Sequence, residues 1–262
     1  MDVLTTAHHG RTTTYRFREA RGEPDAPTIL FVHGSGGSHS VWRGQFRLAS
    51  DYSVAALDLS GHGDSDDVDA DTGYETLSAY VDDVIAVAKA TDASVLVGNS
   101  LGGAVAMTLA LERDYDLDAL VLAGTGAKLA VLDDLLNWLD DDFDRAVSFL
   151  HEEDKLFHTD DERLVEGSKE AMYDAGRAVT RRDFRSCHTF DVRDQLGEIS
   201  VPTLALVGEY DRLTPPSYHE FLSEEIPNGE MATIEDAAHL AMLEQPEAFN
   251  AAVTSFLDRR VE

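Results

Sequence analysis

An α/β fold, with a mostly parallel, doubly wound sheet and a helical insertion, is predicted by three features of the 262-residue chain. Short and nearly continuous apolar runs recur at residues 28–32, 52–57, 94–97, 117–123, 203–207 and 230–234, as in strands buried on both faces. Helical patterns at 41–49, 77–90, 104–111, 217–225 and 246–259 alternate with them, as crossovers between parallel strands require. Between 126 and 195 the alternation stops and only amphipathic helical patterns remain, which predicts an insertion above the sheet.

In chain order, residues 12–18 alternate as a strand, and His8, His9 and Gly10 mark a hairpin turn back to a strand over 3–7. Residues 21–27 are turn-rich, and the parallel strands follow. The insertion reads as helices at 132–139, 143–150 and 164–179. Its acidic runs, Asp140 to Asp142 and Asp160 to Glu162, fit solvated faces or helix starts. The predicted organisation is one domain, with residues 1–125 and 196–262 as the α/β core and 126–195 inserted within it. In such sheets ligands lie at the carboxyl ends of the strands.

Acidic residues outnumber basic ones by 50 to 21, for a net charge of −29; 31 of the acids are Asp and only 4 of the bases are Lys. The charge is spread along the chain, and it is coupled to 43% hydrophobic content and clear periodicity, which excludes an acidic disordered segment. A surface of this kind repels itself at low ionic strength and is screened at about 1 M salt, where the Debye length falls to about 3 Å. The pattern predicts adaptation to a high-salt cytoplasm, as in a halophile. No basic stripe is present to meet phosphates, which excludes nucleic acid as a partner. The start of the chain has no basic region followed by an apolar stretch, and no apolar run is long enough to cross a bilayer; a cytoplasmic protein without a membrane partner is expected. The single cysteine, Cys187, excludes an internal disulfide and reads as a packed or half-buried thiol.

Residues 98–102, Gly-Asn-Ser-Leu-Gly, set a serine between two glycines at a strand-to-helix junction. Five such residues alone specify little; the flanking strand and helix make them a sharp turn that exposes the hydroxyl of Ser100, with Gly98 and Gly102 removing Cβ atoms that would block strand and helix from approaching. A serine needs a base to take its proton and a third group to orient that base. Asp211, in Gly208-Glu-Tyr-Asp, follows the strand at 203–207, and His239, in Glu235-Asp-Ala-Ala-His, follows the last strand; both project from the same sheet edge. The loop His33-Gly-Ser-Gly-Gly-Ser38 after the strand at 28–32 can turn backbone N–H groups inward, and the N–H groups of Ser35 and Leu101 are the expected oxyanion donors. That loop lacks the lysine of a phosphate-binding loop and the full dinucleotide fingerprint.

With these motifs in this order, the His-Gly loop at 33, the turn Asp58-Leu-Ser-Gly-His-Gly-Asp-Ser65, the elbow at 98–102, Gly208-x-x-Asp211 and His239, the chain resembles the α/β-hydrolase superfamily over nearly its whole length. The resemblance implies a sheet of the α/β-hydrolase type, Ser100 as nucleophile, Asp211 as acid and His239 as base, and a helical cap for residues 126–195. Serine at 100, where epoxide hydrolases and haloalkane dehalogenases carry aspartate, argues against those reactions. The expected activity is cleavage of small or medium carboxylic esters through an acyl-enzyme, without metal or organic cofactor, the partner being the small-molecule ester. Carbon–carbon (meta-cleavage type) hydrolase, lactonase, thioesterase and perhydrolase activities share these residues, and a ligand receptor built on the same fold is the reading from another class. Gly34, His39, Trp42, Met172 and Tyr173 are expected to line the substrate pocket, and Met107 is weighed beside them as core. His33, His62 and Asp58 read as structural, and the pair His8 and His9 is too isolated for a metal site. The negative surface, with no cluster of Lys or Arg near the loops at 33 and 98, predicts preference for uncharged esters over polyanionic thioesters; Arg43, Arg47, Arg181 and Arg182 are the basic residues placed to converge.

Overall fold

The computed structural model describes residues 2–22 and 26–260. Its sheet has eight strands in the order β1-β2-β4-β3-β5-β6-β7-β8. β1 (Asp2–His8) and β2 (Arg11–Arg18) pair antiparallel around a turn in which His9 and Gly10 take positive φ of 47° and 80°. β2 also runs antiparallel to β4 (Ser53–Leu57); β3 (Thr28–Val32), β4, β5 (Ala93–Asn99), β6 (Ala119–Ala123), β7 (Thr203–Gly208) and β8 (Gly229–Ile234) are mutually parallel. The doubly wound α/β fold read from the apolar runs is the fold observed.

Successive strand residues point to opposite faces, so every buried strand feeds two cores. Ile29, Phe31, Val54, Val95, Val97 and Val121 join Trp42, Phe249 and Phe256 on one face. Leu30, Val32, Leu57, Leu96, Leu120 and Leu122 join Tyr80, Val84, Leu101 and Val105 on the other. The helices covering these faces are α1 (Tyr74–Thr91), α2 (Leu101–Glu112), α6 (Pro216–Glu225) and α8 (Pro246–Arg260), with the short α7 (Ala241–Glu244) before the last.

Between β6 and β7 the chain forms α3 (Asp133–Asp141), α4 (Phe143–Leu150) and α5 (Glu162–Thr189). Their apolar sides, through Leu135, Leu139, Val147, Leu150 and Met172, join the cluster that contains Phe31 and Trp42. α5 is longer than the helix predicted over 164–179 and is broken at Gly176, where φ is 79° and ψ 163°. The single helix predicted over 41–49 is instead two 3₁₀ turns, His39–Trp42 and Gln45–Ser50. Gly44 lies between them, where a Cβ would sit 2.8 Å from Pro246 Cβ, so α8 packs directly on the backbone at this point.

Candidate active site

β5 ends at Asn99 and α2 begins at Leu101, which leaves Ser100 to make the whole reversal. It does so with φ 54° and ψ −115°, a region that favours glycine. The turn is held tightly enough to keep that strain. Ser100 N–H donates to the Ala123 carbonyl at 2.9 Å, and the Ser100 carbonyl accepts from Gly103 N, Ala104 N and Thr125 Oγ1. The glycines are required by contact: a Cβ on Gly98 would lie 2.3 Å from the Gly102 carbonyl oxygen, and one on Gly102 would lie 2.3 Å from that of Val32. Gly103, which the sequence reading passed over, is constrained in the same way, its Cβ position lying 2.6 Å from Thr125 Cγ2.

Asp211 lies just past the end of β7 and His239 past the end of β8; both are buried. His239 Nδ1 is 2.9 Å from Asp211 Oδ2. The same carboxylate accepts from Leu213 N and Thr214 N at Oδ1 and from Thr214 Oγ1 at Oδ2. Burial alone would raise the pKa of Asp211, but the facing His239 and these hydrogen bonds outweigh it and hold the carboxyl below its usual range. An ionised acceptor there fixes Nδ1 of the imidazole as the protonated nitrogen, leaving Nε2 for chemistry.

Ser100 and His239 line one cavity of about 420 Å³, together with Gly34, Ser35 and Met172. The Gly-rich loop crosses directly over the serine, since a Cβ on Gly34 would be 3.1 Å from Ser100 Cβ. Leu101 is the first residue of α2, where the N–H has no intrahelical acceptor. Ser35, in that loop, lines the same cavity, and Leu101 follows the serine directly at the start of the helix.

Three of the expected lining residues are elsewhere. Trp42 is fully buried between Phe31 and Phe249, with ring centroids 4.9 and 6.0 Å away, so its bulk is spent on the core. His39 turns to Asp58, which accepts from its backbone N at 2.7 Å and lies 2.9 Å from its Nδ1. Tyr173 is half-exposed, packs its ring edge-on to Phe143 and donates to Asp144. The sequence also suggested no place for Cys187 near substrate, yet this buried thiol lines the cavity and lies 3.9 Å from Ser35 Oγ; burial pushes its pKa up to about 12.

Several histidines compete for attention, and their partners sort them. His33 Nε2 accepts from Leu59 N while Nδ1 faces the Gly34 carbonyl; burial lowers its pKa to about 4. It ties the Gly-rich loop to the turn after β4. His219 Nε2 accepts from Thr125 N, and burial lowers its pKa to about 4 as well. Because Thr125 Oγ1 donates to the Ser100 carbonyl, His219 acts on the elbow through Thr125. His62 pairs with Asp183 of α5 at 2.9 Å, and Asp183 also accepts from Tyr80 OH and from Gly36 N, which joins α5 to the Gly-rich loop.

The basic residues also sort differently from expectation. Arg47 pairs with Glu247, Arg181 with Asp140 and Arg182 with Asp67, whereas Arg43 lines the cavity with Lys155, Arg163 and Arg212. Among the described residues, no group of three or more His, Cys, Asp or Glu side chains is placed to hold a metal ion. Among the described residues, no helix is long and apolar enough to cross a membrane.

A strained serine at a strand-to-helix elbow, facing a cavity shared with a carboxylate-backed histidine, is the arrangement of a hydrolase built on a parallel α/β sheet. The chain belongs to the alpha/beta hydrolase family, whose model matches residues 29–252. It is 27% identical to 3-oxoadipate enol-lactonase 1 of Acinetobacter baylyi, over 97% of this chain and 96% of that protein. It is 28% identical to the pimeloyl-[acyl-carrier protein] methyl ester esterase of Neisseria meningitidis, over 93% of this chain and 98% of that one. A solved thermophilic esterase superposes with a TM-score of 0.85 at 31% identity, covering 99% of this chain and 98% of its own. The protein is thus an α/β-hydrolase enzyme.

Proposed function

We propose that the protein hydrolyses small or medium carboxylic esters through an acyl-enzyme formed on Ser100. One observation carries this reading: Ser100, held at φ 54°, shares its cavity with His239, whose Nδ1 lies 2.9 Å from the buried Asp211. In the reaction His239 Nε2 takes the Ser100 proton as Oγ attacks the acyl carbon. The oxyanion that forms is met by the N–H groups of Ser35 and Leu101. His239 then gives its proton to the departing alcohol, and water repeats the sequence to release the acid, while Asp211 stabilises the imidazolium in each half. Residues 126–195 act as a cap over the site, and the reaction belongs in the cytoplasm.

A lactone is the second substrate form the reading admits, favoured by the enol-lactonase among the relatives. It requires the same attack, with the alcohol remaining tethered to the acyl group. The test is labelling by a fluorophosphonate together with turnover of a graded series of nitrophenyl esters. Ser100→Ala is expected to abolish labelling and nearly all turnover while the circular dichroism spectrum is unchanged. Labelling of the alanine variant at the wild-type rate would overturn the assignment.

A further inference from the structure

Acid outnumbers base 50 to 21 along the chain, yet the cavity over Ser100 has the opposite balance. Arg43, Lys155, Arg163 and Arg212 line it, and among the described residues no Asp or Glu does. Lys155 and Arg212 are offset by ion pairs with Glu152 and Asp154. Arg43 and Arg163 make no ion pair among the described residues, and both are exposed, so their charge in the cavity lining is not offset by a partner. Arg163 stands in the first turn of α5, where the helix dipole disfavours a cation, so helix stability does not account for it. Leu135, Leu156, Met172 and Phe184 line the same cavity and give it apolar surface beside these cations.

We infer that the substrate carries an oxyanion, a carboxylate or a phosphate, joined by a short aliphatic spacer to the ester, with Arg43 and Arg163 receiving the anion. The guanidinium fork matches either group. The negative charge of the whole surface opposes approach of an anion only over about a Debye length, which strong salt shortens to about 3 Å, whereas contact with an arginine acts within that distance. The inference rests on the hydrolase reading for its ester, and it replaces the preference for uncharged esters predicted from the sequence.

The experiment compares kcat/KM for monomethyl adipate, an anion, and dimethyl adipate, its neutral counterpart, at one ionic strength. Wild type is expected to favour the monoester by about tenfold or more, as a hydrogen bond to a charged group allows. Arg163→Gln and Arg43→Gln should each cut that ratio several-fold, chiefly through KM. A wild-type ratio near one, or a ratio unchanged in both variants, overturns the inference while leaving ester hydrolysis intact. Absence of turnover on both esters is a failure of the ester-hydrolysis reading instead, and calorimetric binding of adipate and of inorganic phosphate then decides. Binding weakened by the double substitution supports the inference, the tighter of the two ligands naming the oxyanion. Binding that the double substitution leaves unchanged, or no binding of either, overturns it.

Discussion

Thr214 grips both oxygens of Asp211, its N–H donating to Oδ1 at 2.9 Å and its Oγ1 to Oδ2 at 2.8 Å. Asp211 lies three residues past the end of β7, and this grip, with the Leu213 N–H on Oδ1, holds its carboxylate toward His239. The same hydroxyl lies 3.2 Å from His239 Nδ1, so it sits at the junction of acid and base. Asp211→Asn keeps the shape but offers an N–H to the imidazole, and kcat is expected to fall about 10,000-fold. Thr214→Val should cost about tenfold, the size of an orienting contact, with the acid limb of the kcat/KM profile displaced. Activity of Asp211→Asn within a few-fold of wild type would assign the role to another carboxylate.

The conformation of Ser100 has a measurable stability cost. A non-glycine residue in this region costs about 1–3 kcal/mol, part of which glycine recovers, less about 0.5–1 kcal/mol for its own backbone freedom. Ser100→Gly is therefore expected to be more stable than Ser100→Ala by about 1 kcal/mol in urea unfolding, although both are inactive. Ser100→Gly proving the less stable of the two would mean that the elbow is not strained.

The elbow, Asp211 and His239 were legible in the sequence because each is written locally: glycines beside a serine, or a chemistry-bearing residue just beyond an apolar run. What the sequence did not show depends on contacts between distant segments. Arg43, Lys155, Arg163 and Arg212 come from four places in the chain and meet only in the cavity. His219 reaches Ser100 through Thr125, which no spacing announces. Trp42 stands near the Gly-rich loop in sequence, but the alternation of β3 places Phe31 on the face where an indole is needed as core. The apolar pattern of 41–49 reads as one helix and carries no trace of Pro246, whose Cβ would lie 2.8 Å from a Cβ at Gly44.

His219 makes stability depend on pH. Its pKa is about 4 in the fold, against 6.5 when exposed, because burial disfavours the charged form. As pH falls below about 6.5 the unfolded chain takes up a proton that the native state refuses, so stability is lost progressively until about pH 4, by up to about 1.4 kcal/mol per unit. His33, also lowered to about 4, acts in the same direction. His62 acts in the opposite one: burial alone would lower its pKa, but Asp183 raises it, so its contribution is complete below the unfolded value and is lost as pH rises. His219→Gln should flatten the rise of Tm between pH 4.5 and 6.5 relative to wild type. An unchanged slope would show that His219 is not the neutral acceptor of the Thr125 N–H.

The charge of −29 leads to the expectation that stability rises with salt, through two separate effects. Repulsion among surface carboxylates is screened as the Debye length falls from about 10 Å at 0.1 M to about 3 Å at 1 M, and little further gain is available beyond that. Exclusion of salt from apolar surface strengthens burial of the two sheet-face cores and continues to grow with concentration. Tm is therefore expected to climb steeply between about 0.1 and 1 M KCl and more gently to about 3 M. Replacing KCl by a sulfate salt at equal ionic strength should change the second phase more than the first. The high-salt adaptation read from the composition requires the first phase, and a Tm that is flat from 0.1 to 1 M would sink it, even if the gentler rise remained, because exclusion alone acts on any protein.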